Sequence, residues 1–378
     1  MRSHGYEVTL ISSPGQELAA IEQTEGVDIA CVPMEREIHL FRDLRALFQL
    51  YWLFRAIRPH IVNAGTPKAG LLALLAAFCA RVPVRIYMLR GLRLETATGI
   101  KRRILSLTER IASACAHRVI AVSRSLADEY QNLGLVDSIK LGVLAGGSSN
   151  GVKLSDFEST PIRQSQAFEL RDRLKIAPDE PVIGYVGRLT RDKGIDDLVQ
   201  AFLKLSVGHP DVWLMLVGEV EGGDALSDVT IKCIHNHPRI IRTGFVNDAA
   251  PYYHLIDVLA FPSYREGFPN AVLEAQVAGI PVVGYRATGV VDAISDGVTG
   301  RLVSIGAINE LTEALREYIS TPQLAAKHGA CGKQHVENEF SNERVWNALL
   351  SEYQRLYPLK EVDSQFNESP QRTNVRAA

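Results

Sequence analysis

Val258-Leu-Ala-Phe-Pro-Ser-Tyr-Arg-Glu-Gly-Phe-Pro-Asn-Ala-Val-Leu-Glu-Ala275 is the stretch that decides the fold. Val258–Pro262 has the length and apolar content of a buried strand, Gly267-Phe-Pro269 breaks it into a turn, and a helix starts at about Asn270. Strand, glycine-bearing turn and helix in that order form one step of a parallel α/β sheet. Glu266 stands on the loop and Glu274 about a turn inside the helix, with seven residues between them. A ligand at such a helix start meets unpaired backbone N–H groups and the positive end of the macrodipole. The two carboxylates accept from sugar and ribose hydroxyls while the N–H groups donate to phosphate, so the element suits a polyhydroxylated anion.

The same step repeats in both directions. Strand candidates are Tyr6–Ser12, Ile29–Pro33, His60–Asn63, Val84–Met88, Arg118–Val122 and Lys140–Val143, then Val182–Val186, Val212–Val217, Ile240–Thr243, Val258–Pro262, Pro281–Tyr285 and Gly300–Val303. Longer amphipathic stretches separate them, which predicts an α/β protein of two Rossmann-like, doubly wound halves. Residues 145–151, Ala-Gly-Gly-Ser-Ser-Asn-Gly, read as the connection, with the glycines and Asn150 tolerating left-handed backbone. The expected units are residues 1–150, residues 151–340, a C-terminal helix over 341–360 returning toward the first unit, and a polar tail over 361–378 that cannot repay the entropy of ordering. The chain opens on His4-Gly-Tyr-Glu-Val-Thr-Leu-Ile11, a helix end running into a second strand, so a first βα unit is expected to be missing.

A second chemical segment is Gly184-Tyr-Val-Gly-Arg-Leu-Thr-Arg-Asp-Lys-Gly194, which follows the strand opening the second half. Gly187 lets the backbone come close to a ligand at the strand's carboxyl end, Arg188 offers a bidentate fork and Lys193 a point charge. A leaving diphosphate gains charge during transfer, so fixed cations there favour the transition state over the ground state. No Asp-x-Asp triplet occurs in the chain. Chemistry without a bound metal or other cofactor is therefore expected.

The order GRLTRDKG (187–194), LVGE (216–219), FPSYREGFPNAVLEA (261–275), GIPVV (279–283) and DGVTG (296–300) resembles family-4 glycosyltransferases of the GT-B fold. The resemblance runs to about Pro358. Asn63-Ala-Gly-Thr-Pro-Lys-Ala-Gly70 and Ser148-Ser-Asn-Gly151 make it most similar to bacterial enzymes of capsule, exopolysaccharide and O-antigen assembly. It implies retaining transfer from a nucleoside-diphosphate-sugar, taken as a UDP-sugar, to a hydroxyl of a glycan or a polyprenyl-diphosphate-linked sugar. Arg188 and Lys193 would bind the diphosphate, Glu274 the ribose, and Glu266 with the backbone of Gly267, Phe268 and Asn270 the sugar. Phe245, in Gly244-Phe-Val246, would lie against the base. Glu266, Arg188 and Lys193 are the expected catalytic groups, and Asn150 and Gly151 match the hinge. Family members often carry His-Gly where this chain has Leu89-Arg90-Gly91, which makes Arg90 an acceptor-side candidate. Ser123 is another, although Ser123 and Ser125 read more simply as caps of the next helix. Two alternatives stay open: a sugar-nucleotide epimerase, and an inactive protein that only binds a nucleotide-sugar.

Composition narrows the partners. A net charge of −2 conceals sixteen Lys or Arg against four acids between Arg36 and Arg124. Such a segment attracts anionic acceptors or lipid headgroups, while the absence of an aromatic-interleaved basic motif argues against nucleic acid. Leu40–Ile57 has Phe41, Leu44, Phe48, Tyr51, Trp52 and Phe54 among Arg42, Arg45 and Arg55. Its spacing fits a core helix, the preferred reading, or a helix lying on a membrane. His117 reads as a packing residue. The five cysteines have neither metal-ligand nor disulfide-framework spacing, and no apolar run reaches membrane-spanning length. The expected location is the cytoplasm, with peripheral contact at the inner face of the membrane.

Overall fold

The computed structural model describes residues 1–15, 18–35 and 39–358; the expected tail lies outside them. A single 3-10 turn, Arg2–His4, closes on Gly5 at φ +81°. It leads into β1 (Thr9–Ser12), α1 (Leu18–Glu25), β2 (Asp28–Cys31), α2 (Leu40–Ile57), β3 (Ile61–Ala64), α3 (Pro67–Cys79), β4 (Val84–Leu89), α4 (Gly99–Cys115), β5 (Arg118–Ala121), α5 (Arg124–Asn132) and β6 (Leu141–Val143). The second series is α6 (Pro161–Arg173), β7 (Val182–Val186), α7 (Ile195–Ser206), β8 (Trp213–Val217), α8 (Asp228–Asn236), β9 (Ile240–Gly244), α9 (Ala250–Tyr253), β10 (Val258–Phe261), α10 (Asn270–Val277), β11 (Val282–Tyr285), α11 (Val290–Ala293) and β12 (Gly300–Val303). Helices α12 (Ile308–Ser320), α13 (Pro322–Glu339) and α14 (Asn342–Leu356) complete it. Every strand expected from the sequence is present, and α10 begins at Asn270.

The second sheet runs β12-β11-β10-β7-β8-β9, with all neighbours parallel. Its central strands are apolar along their whole length because helices cover both faces. The order reverses between β7 and β10, and at that reversal the connections leave in opposite directions and open a crevice at the strands' carboxyl ends. The first series forms a four-stranded parallel sheet, β3-β4-β5-β6, and a separate parallel pair, β1-β2.

Helix α14 crosses back onto the first series. Leu349, Tyr353 and Leu356 pack against the core made by β4, β5 and α5. The Asn63 amide donates to the Tyr353 hydroxyl (2.6 Å), and Arg118 pairs with Glu352 (2.8 Å). In the connection, Ala145, Gly147, Ser148 and Gly151 have positive φ, so Ala145 and Ser148 take left-handed conformations there while Asn150 does not.

The core reading of Leu40–Ile57 is corrected. Ala46, Leu50 and Phe54 are buried, whereas Phe41 (87%), Leu44, Phe48 and Trp52 are exposed. Leu44, Phe48 and Trp52 lie two residues out of phase with the buried set, roughly 200° around the helix. The helix therefore has two apolar stripes, and only one of them packs in the core. Helix α4 repeats this: Glu109, Ala112, Ser113 and Cys115 are buried, while Ile100, Ile104, Leu107 and Ile111 form an exposed stripe beside exposed Lys101, Arg102, Arg103 and Arg110.

Candidate functional site

The groups expected in the second unit, apart from Glu274 inside α10, stand at or just beyond the carboxyl end of a strand. Gly187, Arg188 and Lys193 follow β7, Phe245 follows β9, and Glu266 through Asn270 follow β10. The β7 and β10 segments flank the crevice where the strand order reverses.

Gly187 has φ +144° and donates its N–H to the Val217 carbonyl (2.9 Å). Across from it a Cβ on Gly218 would lie 1.9 Å from the Gly187 carbonyl oxygen, so β7 and β8 end with their backbones in near contact. From that platform the chain reaches a single 3-10 turn, Arg191–Lys193, closed by Gly194 at φ +71°. A Cβ on Gly194 would lie 2.0 Å from the Pro262 carbonyl oxygen, so the turn is pressed against the end of β10. Lys193 Nζ thereby donates to Glu266 Oε1 at 2.6 Å, with both side chains about 85–87% buried. Glu266 is held from behind, its N–H donating to the Thr288 carbonyl (3.0 Å).

Arg188 is close but separately paired. Its guanidinium donates to Glu221 (2.8 Å) and is half exposed. Burial alone would lower its pKa, but the hydrogen bond it donates to Glu221 and the charges of Glu221, Asp192 and Glu266 raise it overall. The Asp192 carboxyl is held below its ordinary range: burial opposes ionisation, and the Thr190 hydrogen bond with the charges of Lys193, Arg265 and Arg188 outweighs it. Glu221 is a partner that the sequence reading missed, and no local spacing signals it.

Glu274 is not a solvated helix residue. It is half-buried on α10 and accepts from the Tyr253 hydroxyl at 2.7 Å. Burial raises its pKa, and the Tyr253 bond only partly offsets that. Phe245 is 72% exposed beyond β9, the edge strand of the sheet. Asn270 opens α10, whose first N–H groups have no side-chain cap. Phe268 packs on Phe340 (ring centroids 5.1 Å) and touches the cores of both units.

The first unit meets this site directly. A Cβ on Gly267 would lie 2.0 Å from the Arg90 carbonyl oxygen, and Gly91, at φ +149°, faces Gly267. Arg90 thus stands beside the β10 loop at the end of β4. Ser123 does not face the crevice: it is fully buried, and its Oγ accepts from the Leu126 N–H as the cap of α5. A capping hydroxyl with no exposed surface cannot contact an acceptor, so that expectation is corrected. His117 packs against Arg85 through its ring and its backbone.

Comparison with known proteins matches the family model described as "Glycosyl transferases group 1" to residues 166–335, and "Glycosyl transferase 4-like domain" to residues 1–147. The chain is 36% identical over 354 residues to the capsular polysaccharide biosynthesis glycosyltransferase CapM of Staphylococcus aureus, covering 93% of this chain and 91% of that protein. It is 27% identical to the UDP-Gal:alpha-D-GlcNAc-diphosphoundecaprenol alpha-1,3-galactosyltransferase of Escherichia coli, over 74% of this chain and 71% of that one. Among solved structures, Anabaena HepE in complex with UDP and glucose superposes with a TM-score of 0.77 at 20% identity, over 92% of this chain and 91% of that chain.

Proposed function

We infer the reaction from the premise that this chain belongs to the GT4-like glycosyltransferases of the GT-B fold: it moves a sugar from a nucleoside-diphosphate-sugar to a hydroxyl of a glycan or lipid-linked acceptor in capsular polysaccharide assembly, with retention of configuration. The observation that carries this reading is the buried Lys193–Glu266 pair spanning the reversal of strand order between β7 and β10. The epimerase alternative loses its ground against a likeness to a glycosyltransferase over 93% of the chain.

In the proposed reaction the bond between the anomeric carbon and the diphosphate oxygen breaks as the acceptor oxygen bonds to the same carbon from the same face. The acceptor's proton passes to the departing phosphate oxygen. Lys193 and Arg188 neutralise the charge that develops on that phosphate, in a crevice where fixed cations act more strongly than in water. Glu266, held by Lys193 and Thr288, accepts from sugar hydroxyls, and Glu274 accepts from the ribose. The N–H groups at the start of α10 face the anionic part of the donor. These side chains supply the positive charge without a metal ion.

A thermal-unfolding screen of UDP-, GDP- and ADP-sugars in EDTA tests the reading. A ligand that binds only the folded state adds stability that follows its concentration over its Kd, about 2.7 kcal/mol at a hundred times Kd, and raises the midpoint accordingly. The expected result is stabilisation by UDP-sugars, with transfer unchanged by EDTA. Stabilisation or transfer that requires added Mn²⁺ would contradict the role given to Lys193 and Arg188.

The acceptor is proposed to reside in a membrane, by analogy with the diphosphoundecaprenol substrate in the name of the E. coli relative. Among the described residues no helix is long and apolar enough to cross a bilayer. The exposed stripes Phe41-Leu44-Phe48-Trp52 on α2 and Ile100-Ile104-Leu107-Ile111 on α4, with basic residues alongside, support peripheral attachment. Each basic residue near an anionic surface contributes on the order of 1 kcal/mol. The protein is expected to float with anionic liposomes at low salt and to dissociate as salt shortens the Debye length. Recovery entirely in the soluble fraction at low salt would point to a soluble acceptor instead.

A further inference from the structure

Asp292 lies on α11 of the second unit, yet its carboxylate is bound by the first unit. Oδ1 accepts from the backbone N–H of Arg124 (2.9 Å) and of Ser125 (3.2 Å), the first two residues of α5. Oδ2 accepts from the Ser125 N–H (3.3 Å) and from the Ser125 hydroxyl. That hydroxyl in turn accepts from the Gly289 N–H at 2.8 Å. A carboxylate here meets two N–H groups that have no partner within the helix, at the positive end of its macrodipole. Ser123 satisfies the next N–H of the same helix, so the two units divide the capping of α5 between them.

The segment that makes this contact also backs the donor site. The Thr288 carbonyl receives the Glu266 N–H. Gly289, at φ +76°, packs so closely that a Cβ there would lie 2.6 Å from the Gly267 carbonyl oxygen and 2.8 Å from that of Glu266. Thr288 also stands beside Glu95, which belongs to the first unit and whose carboxyl is pushed up by burial. Residues 288–292 therefore touch Glu266 on one side and the first unit on the other. The bonds across the two units can each be replaced by a bond to water when the units part, so each contributes only on the order of 1 kcal/mol, somewhat more where the Asp292 carboxylate accepts. That suits a contact that must release once per turnover for substrate to enter and product to leave.

We propose that Asp292 and Ser125 form an interdomain clasp that holds the two units closed over the crevice and keeps Glu266 in register with the first unit, making both of them positioning residues. The clasp rests on the reading of this crevice as the donor and acceptor site. Lys193, Glu266 and Glu274, the groups assigned to the donor, all belong to the second unit. Loss of the clasp therefore leaves donor affinity intact and slows the step that needs both units together.

The test compares wild type with Asp292→Ala, Asp292→Asn and Ser125→Ala by solution X-ray scattering, UDP titration and steady-state transfer, using variants whose unfolding midpoints stay close to wild type. Asp292→Ala is expected to increase the radius of gyration and to lower kcat about tenfold, with the UDP Kd changed less than about twofold. Asn keeps one accepting oxygen for the α5 N–H groups and is expected to fall between Ala and wild type. Ser125→Ala, which deletes a single oxygen, is the variant to read if Asp292→Ala does not fold. An unchanged scattering profile, an unchanged kcat, or a Kd that weakens in step with kcat each overturns the clasp. If wild type neither binds UDP nor transfers sugar, the functional reading fails, and scattering alone then decides whether the clasp holds the units closed.

Discussion

Lys193→Ala is expected to lower transfer at least about tenfold, equivalent to about 1.4 kcal/mol or more of transition-state stabilisation. Two effects act in the same direction. The substitution removes a largely buried cation from the place assigned to the departing diphosphate, and it leaves Glu266, itself only 15% exposed, without its 2.6 Å partner. An uncompensated carboxylate in that position repels the charge that develops on the phosphate. Glu274→Ala is expected to fall by a similar factor, because it removes the ribose acceptor and leaves the buried Tyr253 hydroxyl unpaired. Steady-state kinetics on both variants measures this. Wild-type turnover in both would show that the donor lies elsewhere.

Gly194→Ala is expected to cause the largest loss of stability. Its φ of +71° disfavours any side chain by roughly 1–2 kcal/mol. The added Cβ would also sit 2.0 Å from the Pro262 carbonyl oxygen, a backbone atom in the end of β10 that cannot rotate aside. The 3-10 turn that carries Lys193 must then lift off the strand. A destabilisation of about 3 kcal/mol or more is expected, lowering the unfolding midpoint of a unit this size by roughly 6–12 °C. Gly222→Ala is the matched control, since a Cβ there meets nothing within 4 Å and its φ is not positive. Equal midpoints for the two variants would refute the argument.

The sheets were legible in the sequence because each strand of a parallel, two-face-covered sheet is itself an apolar run, and periodicity reports it locally. The loop after β10 was legible for the same reason: Gly267, Pro269 and the helix start at Asn270 are local signals. The Lys193–Glu266 pair lay within reach, since both residues were singled out, but their contact depends on Gly194 pressing against Pro262. Arg188–Glu221 and Ser125–Asp292 were not legible, because the partners stand 33 and 167 positions apart and are joined only by tertiary packing. The outward stripe on α2 failed for another reason. Two apolar faces about 200° apart satisfy the core pattern and the surface pattern equally, and the choice depends on which face is covered.

The return of α14 to the first unit has a consequence for the order in which the protein assembles. Asn63 and Tyr353 are 290 positions apart, yet they share a hydrogen bond, and Leu349 and Leu356 help cover the core of a unit whose strands end at Val143. On the ribosome that unit emerges first and waits through synthesis of the whole second unit before its last covering helix arrives. Its core stays partly uncovered during that interval, and closing so long a loop makes docking of the final helix a slow step. The first unit therefore passes through the cell with exposed apolar surface before the enzyme is complete, which makes it the stage at which chaperones and proteases compete for the nascent chain.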